Sequence, residues 1–246
     1  MSRMAKRWLL LGVLATVYTV LVLNSAWWQE ALHFLFPSEN PVLHPGAPLS
    51  ILVWQHIQLV AISSAFTVVV GVTMGIWVTR DTGTDFLPIV SSLASLSQTF
   101  PPVAVIALAV PVLGFGALPT IVALILYGML PILRNTIAGM RSIDRTSLDA
   151  AYGIGMSRQQ ALVRVEIPLA LPVILAGIRI SVVINIGTAM IGAVIGAGGL
   201  GSPIVAGLVR DNLAFVVEGA VPAALLAILV DRLLANLEAG LTSTRR

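Results

Sequence analysis

Long, nearly uninterrupted apolar runs dominate the sequence. A helix that spans a bilayer needs about 20 predominantly apolar residues, and several runs reach that length. The predicted spans are residues 8–26, 56–79, 86–112, 118–133, 173–195 and 213–234. Charged segments or segments rich in proline and glycine separate them. We therefore predict an all-α polytopic membrane protein with about six transmembrane helices.

The first apolar run, Trp8–Ala26, has two interpretations. It follows basic residues, namely Arg3, Lys6 and Arg7. A cleaved signal peptide would look like this, with the cut falling near Asn24–Ala26. The run is as long as a full span, however, whereas the apolar region of a signal peptide usually has about 7–15 residues. We favour a permanent first helix, followed by a proline-rich external loop over residues 27–55.

Prolines and glycines indicate where the helices bend, end or approach one another. Pro101 and Pro102 interrupt the third run, so we expect a kink or break there. Two small-residue patterns that allow close helix packing are present, Gly71-x-x-x-Gly75 and Gly192-x-x-x-Gly196. Residues 196–212 are predicted to form a glycine-rich external segment.

Composition and charge support the membrane assignment and give an orientation. Hydrophobic residues make up 57% of the 246 residues and charged residues only 10%, against roughly 25% charged in a soluble domain. With the amino terminus in the cytoplasm, twelve of the 14 basic residues fall on the cytoplasmic side. Arg210 is then external and Arg179 lies within the fifth span. The positive-inside rule predicts that both termini are cytoplasmic.

Few motifs point to catalytic chemistry. Cysteine is absent, which excludes disulfides and cysteine metal sites. Residues 196–201 fit G-x-G-x-x-G, but a membrane span precedes them, so we interpret them as a surface turn or as a close backbone approach beside a gate. The only lysine is Lys6, so no Walker A motif is present. The three histidines lack zinc-ligand spacing. We expect no metal and no cofactor in this chain.

The informative segment is the polar loop at about 141–172. Asp149–Ala151 suits a short helix, and Gly155 suits its end or a sharp bend. A second short helix is predicted over Met156–Glu166, with Pro168 and Pro172 blocking its continuation into the next span. A helix–glycine–helix unit that projects from a bilayer suits docking of another protein.

This loop resembles the EAA motif of binding-protein-dependent ABC importer permeases, which reads E-A-A, three residues, G, nine residues, I-x-L-P. The corresponding residues are Asp149, Ala150, Ala151, Gly155, Val165, Ile167 and Pro168. Three positions depart from the motif: Asp stands for Glu, Val for Ile and Ile for Leu. All three exchanges conserve charge or shape.

Other segments are similar to the osmoprotectant branch of this family, which imports glycine betaine, choline, carnitine and similar quaternary ammonium compounds. They are residues 98–102, 126–136, 168–178, 183–189 and 195–201. The resemblance covers roughly residues 50–238. It implies an amino-terminal helix and external loop (1–49), a transmembrane domain of the type I importer fold (50–238) and a cytoplasmic tail (239–246).

The resemblance also implies partners. Two permease subunits, identical or related, would line one pathway in the bacterial cytoplasmic (inner) membrane. Two cytoplasmic ABC ATPase subunits would bind ATP and dock on the EAA loops, and an external solute-binding protein would deliver the substrate. The chain would then be a transporter subunit and not an enzyme, with no nucleic-acid partner.

Polar and proline residues within the spans are candidates for the pathway. They are Gln98, Thr99, Pro101, Pro102, Asn185, Thr188 and Glu218. Buried charges are costly in a membrane, so Glu218 and Arg179 either face a polar cavity, pair with each other or extend to the headgroups. Asn185 and Thr188 could equally form hydrogen bonds between helices. Because the chain has only 15 aromatic residues, we expect substrate affinity to reside in the binding protein.

Three alternatives remain open at this point. The chain could be a small secondary transporter driven by an ion gradient, although no convincing internal repeat is visible. It could be a permease for another small solute. It could also be a membrane protein without transport activity, which would leave the EAA-like loop unexplained.

Overall fold

A computed structural model describes residues 3–243, and these residues form helices joined by short loops. The α-helices are α1 (Arg3–Leu23), α2 (Ser25–Leu35), α3 (Leu49–Trp77), α4 (Leu87–Ser97), α5 (Pro102–Leu113), α6 (Ala117–Arg141), α7 (Arg145–Gly153), α8 (Arg158–Ala161), α9 (Ile167–Ala189), α10 (Gly201–Arg210) and α11 (Leu213–Ser243). A π-helical turn, Leu162–Glu166, joins α8 to α9. Short 3₁₀ turns are at Thr84–Phe86 and Met190–Ile195.

The number of predicted spans is confirmed. Within residues 3–243, five helices are long and apolar enough to cross a membrane, and a sixth span results if the bent pair Thr84–Ser97 and Pro102–Leu113 is counted as one. The two members of this pair meet at 95°. The break predicted at Pro101 and Pro102 is therefore present, and it is much sharper than a kink.

Helix α6 lies at the centre and packs against α3 and α9. Glycines allow the close approach. A Cβ atom on Gly75 would lie 2.6 Å from Thr136 Cβ, and one on Gly71 would lie 2.9 Å from Ile132 Cγ2. The packing interpretation of the first small-residue pattern is confirmed. For the second pattern it is confirmed at Gly192, where a Cβ would meet the Thr120 side chain of α6. It is wrong at Gly196, which has a φ of +79° and no neighbour that a Cβ would meet.

The helix ends meet on two faces of the bundle. On one face, which we call the Arg-rich face, Arg158 bonds Asp81 and Asn236 bonds the Arg7 carbonyl. On the opposite face, the Gly116 N–H donates to the Ile195 carbonyl at 2.9 Å. Arg210 lies towards this opposite face, at the end of α10. Arg245 and Arg246, both predicted to be cytoplasmic, lie outside the described residues.

Several predicted boundaries are wrong. The second span begins at Leu49 and not at His56. The segment predicted as one external loop contains α2, whose first turn is capped by the Asn24 side chain accepting from the Trp27 N–H at 3.0 Å. The glycine-rich segment at 196–212 contains α10. Glycine and proline marked these segments as loops, but both residues are also compatible with helix termini.

Pro168 and Pro172 do not block the helix, contrary to expectation. Together α8, the π-helical turn and α9 form one continuous helical segment, Arg158–Ile195. Pro168 lies in the first turn of α9, and Pro172 lies inside that helix. Each proline removes one backbone N–H from the helix, and the π-helical turn directly before Pro168 is where the regular hydrogen-bond pattern is interrupted.

Candidate functional site

The loop between α6 and α9 has the predicted helix–glycine–helix form. Helix α7 ends at Gly153, and Gly155 then adopts a φ of +86°. Its N–H donates to the Tyr152 carbonyl at 2.9 Å, and the Met156 N–H donates to the Ala151 carbonyl at 3.1 Å. These bonds satisfy carbonyls at the end of α7 while the chain reverses. Glycine favours this left-handed conformation because it has no Cβ.

The residues that match the EAA motif divide into two groups. Asp149, Ala150 and Gly155 are exposed to solvent, whereas Ala151 is buried. The later positions, Val165, Ile167 and Pro168, are half-buried where the π-helical turn passes into α9. The three exposed residues are accessible to another protein. The three half-buried residues anchor the loop to the bundle.

Three exposed apolar side chains on this polar loop were missed as site residues. Tyr152, Ile154 and Val163 are 44%, 75% and 63% exposed. Apolar side chains on a segment that projects into water mark a surface for another protein. The signal was available in the sequence, because Tyr152 and Ile154 flank Gly153 inside the motif.

Two ion pairs attach the loop to the end of α3. Arg80 forms two hydrogen bonds with the Glu166 carboxylate, at 3.1 and 2.6 Å, and Glu166 is buried. Arg158 bonds Asp81 at 2.7 Å, but both of these side chains are more than 80% exposed. The Arg80–Glu166 pair is therefore the stronger link, since exposed ion pairs contribute little.

The pathway candidate Asn185 belongs to a buried polar cluster at the centre of the bundle. Its Nδ2 donates to Ser64 Oγ at 3.2 Å, which joins α9 to α3. Asn185 Oδ1 and Ser181 Oγ have no hydrogen-bond partner among the described residues. Gly128 of α6 faces both, because a Cβ there would lie 2.6 Å from Ser181 Oγ. Thr188 lies one turn further along α9 and is half-buried.

Other pathway candidates lie at the break between α4 and α5. Gln98 Nε2 donates to the Tyr127 carbonyl at 3.0 Å, so the break lies at the level of the middle of α6. Thr99 and Pro101 are exposed, and Pro102 begins α5. Tyr127 precedes Gly128, so Gln98 and the Asn185 cluster approach the same turn of α6 from two sides.

The remaining candidate, Glu218, lies elsewhere. It is buried near the opposite face, where it accepts a hydrogen bond from the His44 N–H at 2.7 Å. Trp28, His44 and Glu218 line a cavity of about 190 Å³. The hypothesis that Glu218 pairs with Arg179 is wrong, because Arg179 bonds Asp231 at 2.6 and 3.2 Å. Asp231 lies more than three turns beyond Glu218 along α11, towards the Arg-rich face.

The glycine-rich segment makes a close backbone approach to α3. Gly199 N–H donates to Gln55 Oε1 at 3.0 Å, and a Cβ on Gly198 would lie 2.5 Å from the same oxygen. Both glycines have positive φ values. The close-approach interpretation is confirmed; a gating role for the segment stays a prediction.

Comparison with known proteins assigns the family. Residues 67–243 match the family model described as the binding-protein-dependent transport system inner membrane component. The chain belongs to this family. The permease is therefore a multi-pass membrane subunit of an ABC transport system, and its family implies ATPase and binding-protein partners.

Curated relatives match most of the permease. The osmoprotectant import permease protein OsmY of Salmonella typhimurium is 38% identical over 220 residues, 89% of this chain and 90% of that protein. The choline transport system permease protein OpuBB of Bacillus subtilis is 40% identical over 200 residues, 80% of this chain and 90% of the relative. A carnitine transport permease protein of Listeria monocytogenes, OpuCB, is also 40% identical, with 80% and 89% covered.

A solved structure supports the fold. The inward-facing MetNI methionine ABC transporter matches with a TM-score of 0.68 at 21% identity, covering 80% of the permease and 99% of the matched chain. The type I importer fold expected from the EAA-like loop is confirmed.

Proposed function

We propose that the permease is the membrane-spanning subunit of an ATP-driven importer for osmoprotectants such as glycine betaine, choline and carnitine. The names of relatives that are 38–40% identical over about four-fifths of the chain support this substrate class. The observation that carries the coupling mechanism is the bend at Gly155, which presents α7 and its exposed apolar side chains at the Arg-rich face.

In this proposal the Arg-rich face is cytoplasmic. Most of the basic residues in the described part of the chain cluster there, as the positive-inside rule requires of a cytoplasmic face. Two ATPase subunits bind ATP, and each docks on the α7 of one permease subunit, where it contacts Asp149, Ala150 and Gly155 together with Tyr152 and Ile154. The permease itself binds neither ATP nor another cofactor.

The proposed pathway passes the break between α4 and α5. Non-helical backbone at membrane depth is tolerated only against protein or a water-filled cavity. Gln98, Thr99 and Pro101 are exposed on a single chain, so a second permease subunit, identical or related, would complete the walls around them. Asn185, Thr188 and Pro102 contribute from behind this surface. Because few aromatic side chains are available for cation–π contacts, the passage binds substrate weakly and a solute-binding protein on the opposite face supplies affinity.

Co-purification from native membranes in mild detergent tests the coupling site. We expect an ABC ATPase to accompany the wild-type permease and to be lost from Gly155→Asp. Gly114→Asp is the matched control, because Gly114 also has a positive φ (+80°) and open space around it but lies near the opposite face. Retention of the ATPase by Gly155→Asp would reject the docking site. Absence of any ATPase from the wild type would reject the proposed coupling through α7.

Uptake of labelled glycine betaine, choline and carnitine tests the substrate class separately. We expect uptake in cells that express the permease with its neighbouring ATPase and binding protein. Uptake of none of the three, with an ATPase still bound, would leave the importer assignment intact and reject the osmoprotectant assignment.

A further inference from the structure

A cavity of about 400 Å³ lies between α1, α9 and α11 near the Arg-rich face. Three arginines line it: Arg7, Arg179 and Arg232. Leucines of α1 form an apolar wall. Leu10 and Leu14 of this wall are 58% and 36% exposed. A cavity with cationic groups on one side and an open apolar wall on the other fits a ligand with an anionic head and an apolar chain.

The charges in the cavity are only partly balanced. Arg179 Nε bonds Asp231 at 2.6 Å, and Nη1 lies 3.8 Å from Glu238 Oε2. Neither Arg7 nor Arg232 makes an ion pair with any carboxylate within the described part of the chain. Among the described residues, these three guanidinium groups lie near two carboxylates, Asp231 and Glu238, which leaves an excess of one positive charge. A phosphodiester carries one negative charge, and guanidinium groups bind phosphate oxygens through paired hydrogen bonds.

The walls of the cavity are fixed by packing between helices. Asn236 of α11 is buried, and its Nδ2 donates to the Arg7 carbonyl at 3.3 Å. This bond holds α1 against α11 at the level of Arg7 and Arg232, the two arginines that form no ion pair among the described residues. Arg7 and Arg232 project from different helices on either side of it, so the fold itself brings their charges together.

We propose that this cavity binds the phosphodiester headgroup of an anionic phospholipid from the leaflet at the Arg-rich face. One acyl chain lies along Leu10 and Leu14, and the headgroup lies between Arg7 and Arg232. A lipid is favoured over free phosphate because the cavity opens beside an exposed apolar surface of α1, which includes Val13 and Val17. Basic pockets between transmembrane helices are suited to anionic headgroups. This proposal does not depend on the transported substrate.

Native mass spectrometry of the full-length permease tests the proposal, with phosphatidylglycerol and phosphatidylcholine offered together in detergent. We expect one tightly held phosphatidylglycerol per chain, preferred at least tenfold over phosphatidylcholine. The variant Arg7→Gln/Arg232→Gln should reduce this preference about tenfold. Arg7→Lys/Arg232→Lys should retain much of it, because the charges remain. The control Arg141→Gln/Arg145→Gln removes the same charge near the same face, outside the cavity, and should bind as the wild type does.

Each contrary result has a definite meaning. If Arg7→Gln/Arg232→Gln retained as much phosphatidylglycerol as the wild type, the site would be overturned. It would also be overturned if the control Arg141→Gln/Arg145→Gln lost as much phosphatidylglycerol as Arg7→Gln/Arg232→Gln. If the Gln/Gln variant does not fold, the wild type still decides, since no preference for phosphatidylglycerol over phosphatidylcholine would reject the proposal. Displacement of the lipid by excess inorganic phosphate, with phosphate bound in its place, would overturn the lipid as the ligand.

Discussion

Arg80 and Glu166 form a bidentate ion pair across 86 residues of sequence, with N–O distances of 3.1 and 2.6 Å. The pair joins the end of α3 to the π-helical turn that leads from the loop into α9. Glu166 is only 5% exposed. A displacement of α7 and α8 would therefore reach two membrane helices at once: α9 through the continuous chain, and α3 through this pair.

We predict that Arg80→Ala lowers the free energy of unfolding by about 1–3 kcal/mol, because it leaves a buried carboxylate without its partner. Thermal unfolding in detergent measures the effect. Arg158→Ala removes an arginine from the exposed pair with Asp81. We expect this variant to lower the free energy of unfolding by less than about 1 kcal/mol. Equal losses in the two variants would contradict the difference in burial. The exchange Arg80→Glu/Glu166→Arg should recover part of the stability.

Ile154→Ser should weaken ATPase binding about tenfold without lowering the melting temperature. Ile154 is 75% exposed in the permease alone, so the fold does not depend on it. Burial of such a side chain in an interface contributes about 1.5–3 kcal/mol, and about 1.4 kcal/mol corresponds to a tenfold change in affinity. Titration of purified ATPase measures the affinity. Leu208→Ser, 71% exposed near the opposite face, should leave it unchanged.

Gly75→Ala should destabilise the bundle by about 1–3 kcal/mol, as overpacking of a tight core does. The added Cβ would lie 2.6 Å from Thr136 Cβ and 2.7 Å from its Cγ2, and Thr136 is buried. Gly187→Ala in α9 is the control, since a Cβ there meets nothing within 4 Å. Thermal unfolding should show that variant to be as stable as the wild type, or more so. A loss of stability in both variants would show that the backbone, and not side-chain packing, is responsible.

Asn185→Ala should lower stability by about 1 kcal/mol, because it removes the hydrogen bond to Ser64 between α9 and α3. Ser181→Ala should have little effect, since Ser181 Oγ bonds no described residue although it is buried. Both variants are compared by thermal unfolding in the same detergent. A similar loss in each would show that the two side chains share a bond through a water molecule.

The segment at 36–48 should loosen in acid. Desolvation and the nearby Arg210 lower the pKa of His44. The neutral ring accepts a hydrogen bond from the Gly46 N–H, and the His44 N–H bonds Glu218. A lowered pKa in the folded state contributes stability above the ordinary value of about 6.5 that is lost as the pH falls below it.

Hydrogen exchange of this segment at about pH 7.5 and pH 5.5 measures the effect. Because intrinsic amide exchange is itself slower at the lower pH, the rates are first converted to protection factors. We expect lower protection factors at the lower pH in the wild type and a smaller change in His44→Gln. His33→Gln, which alters an exposed ring in α2, should behave like the wild type. An identical pH response in His44→Gln would assign the effect to another group.

Local patterns predicted the spans and the loop because each depends on neighbouring residues. The apolar runs gave the number of crossings, Pro101 and Pro102 gave the break, and Gly155 gave the bend. The start of α3 was missed because Pro48 ends a proline-rich segment and also occupies the residue before the helix. Proline is compatible with both positions.

Contacts distant in sequence could not be predicted. Arg179 and Asp231 are 52 residues apart, and Glu218 was an equally plausible partner until the helices were arranged in space. Gln98 was predicted as a pathway residue, but its contact with Tyr127 of α6 could not be predicted from the sequence. Pairing across helices depends on helix rotation and depth, which a hydropathy pattern does not specify.

The break between α4 and α5 has a consequence for the life of the protein in a cell. The Phe100 N–H donates no hydrogen bond within the described residues, and Phe100 is 55% exposed. In a chain inserted alone, this polar backbone would face hydrocarbon, which is costly. Unassembled copies would thus be incomplete molecules and ready targets for degradation. We expect the amount of permease in the membrane to follow the supply of its partner more than its own rate of synthesis.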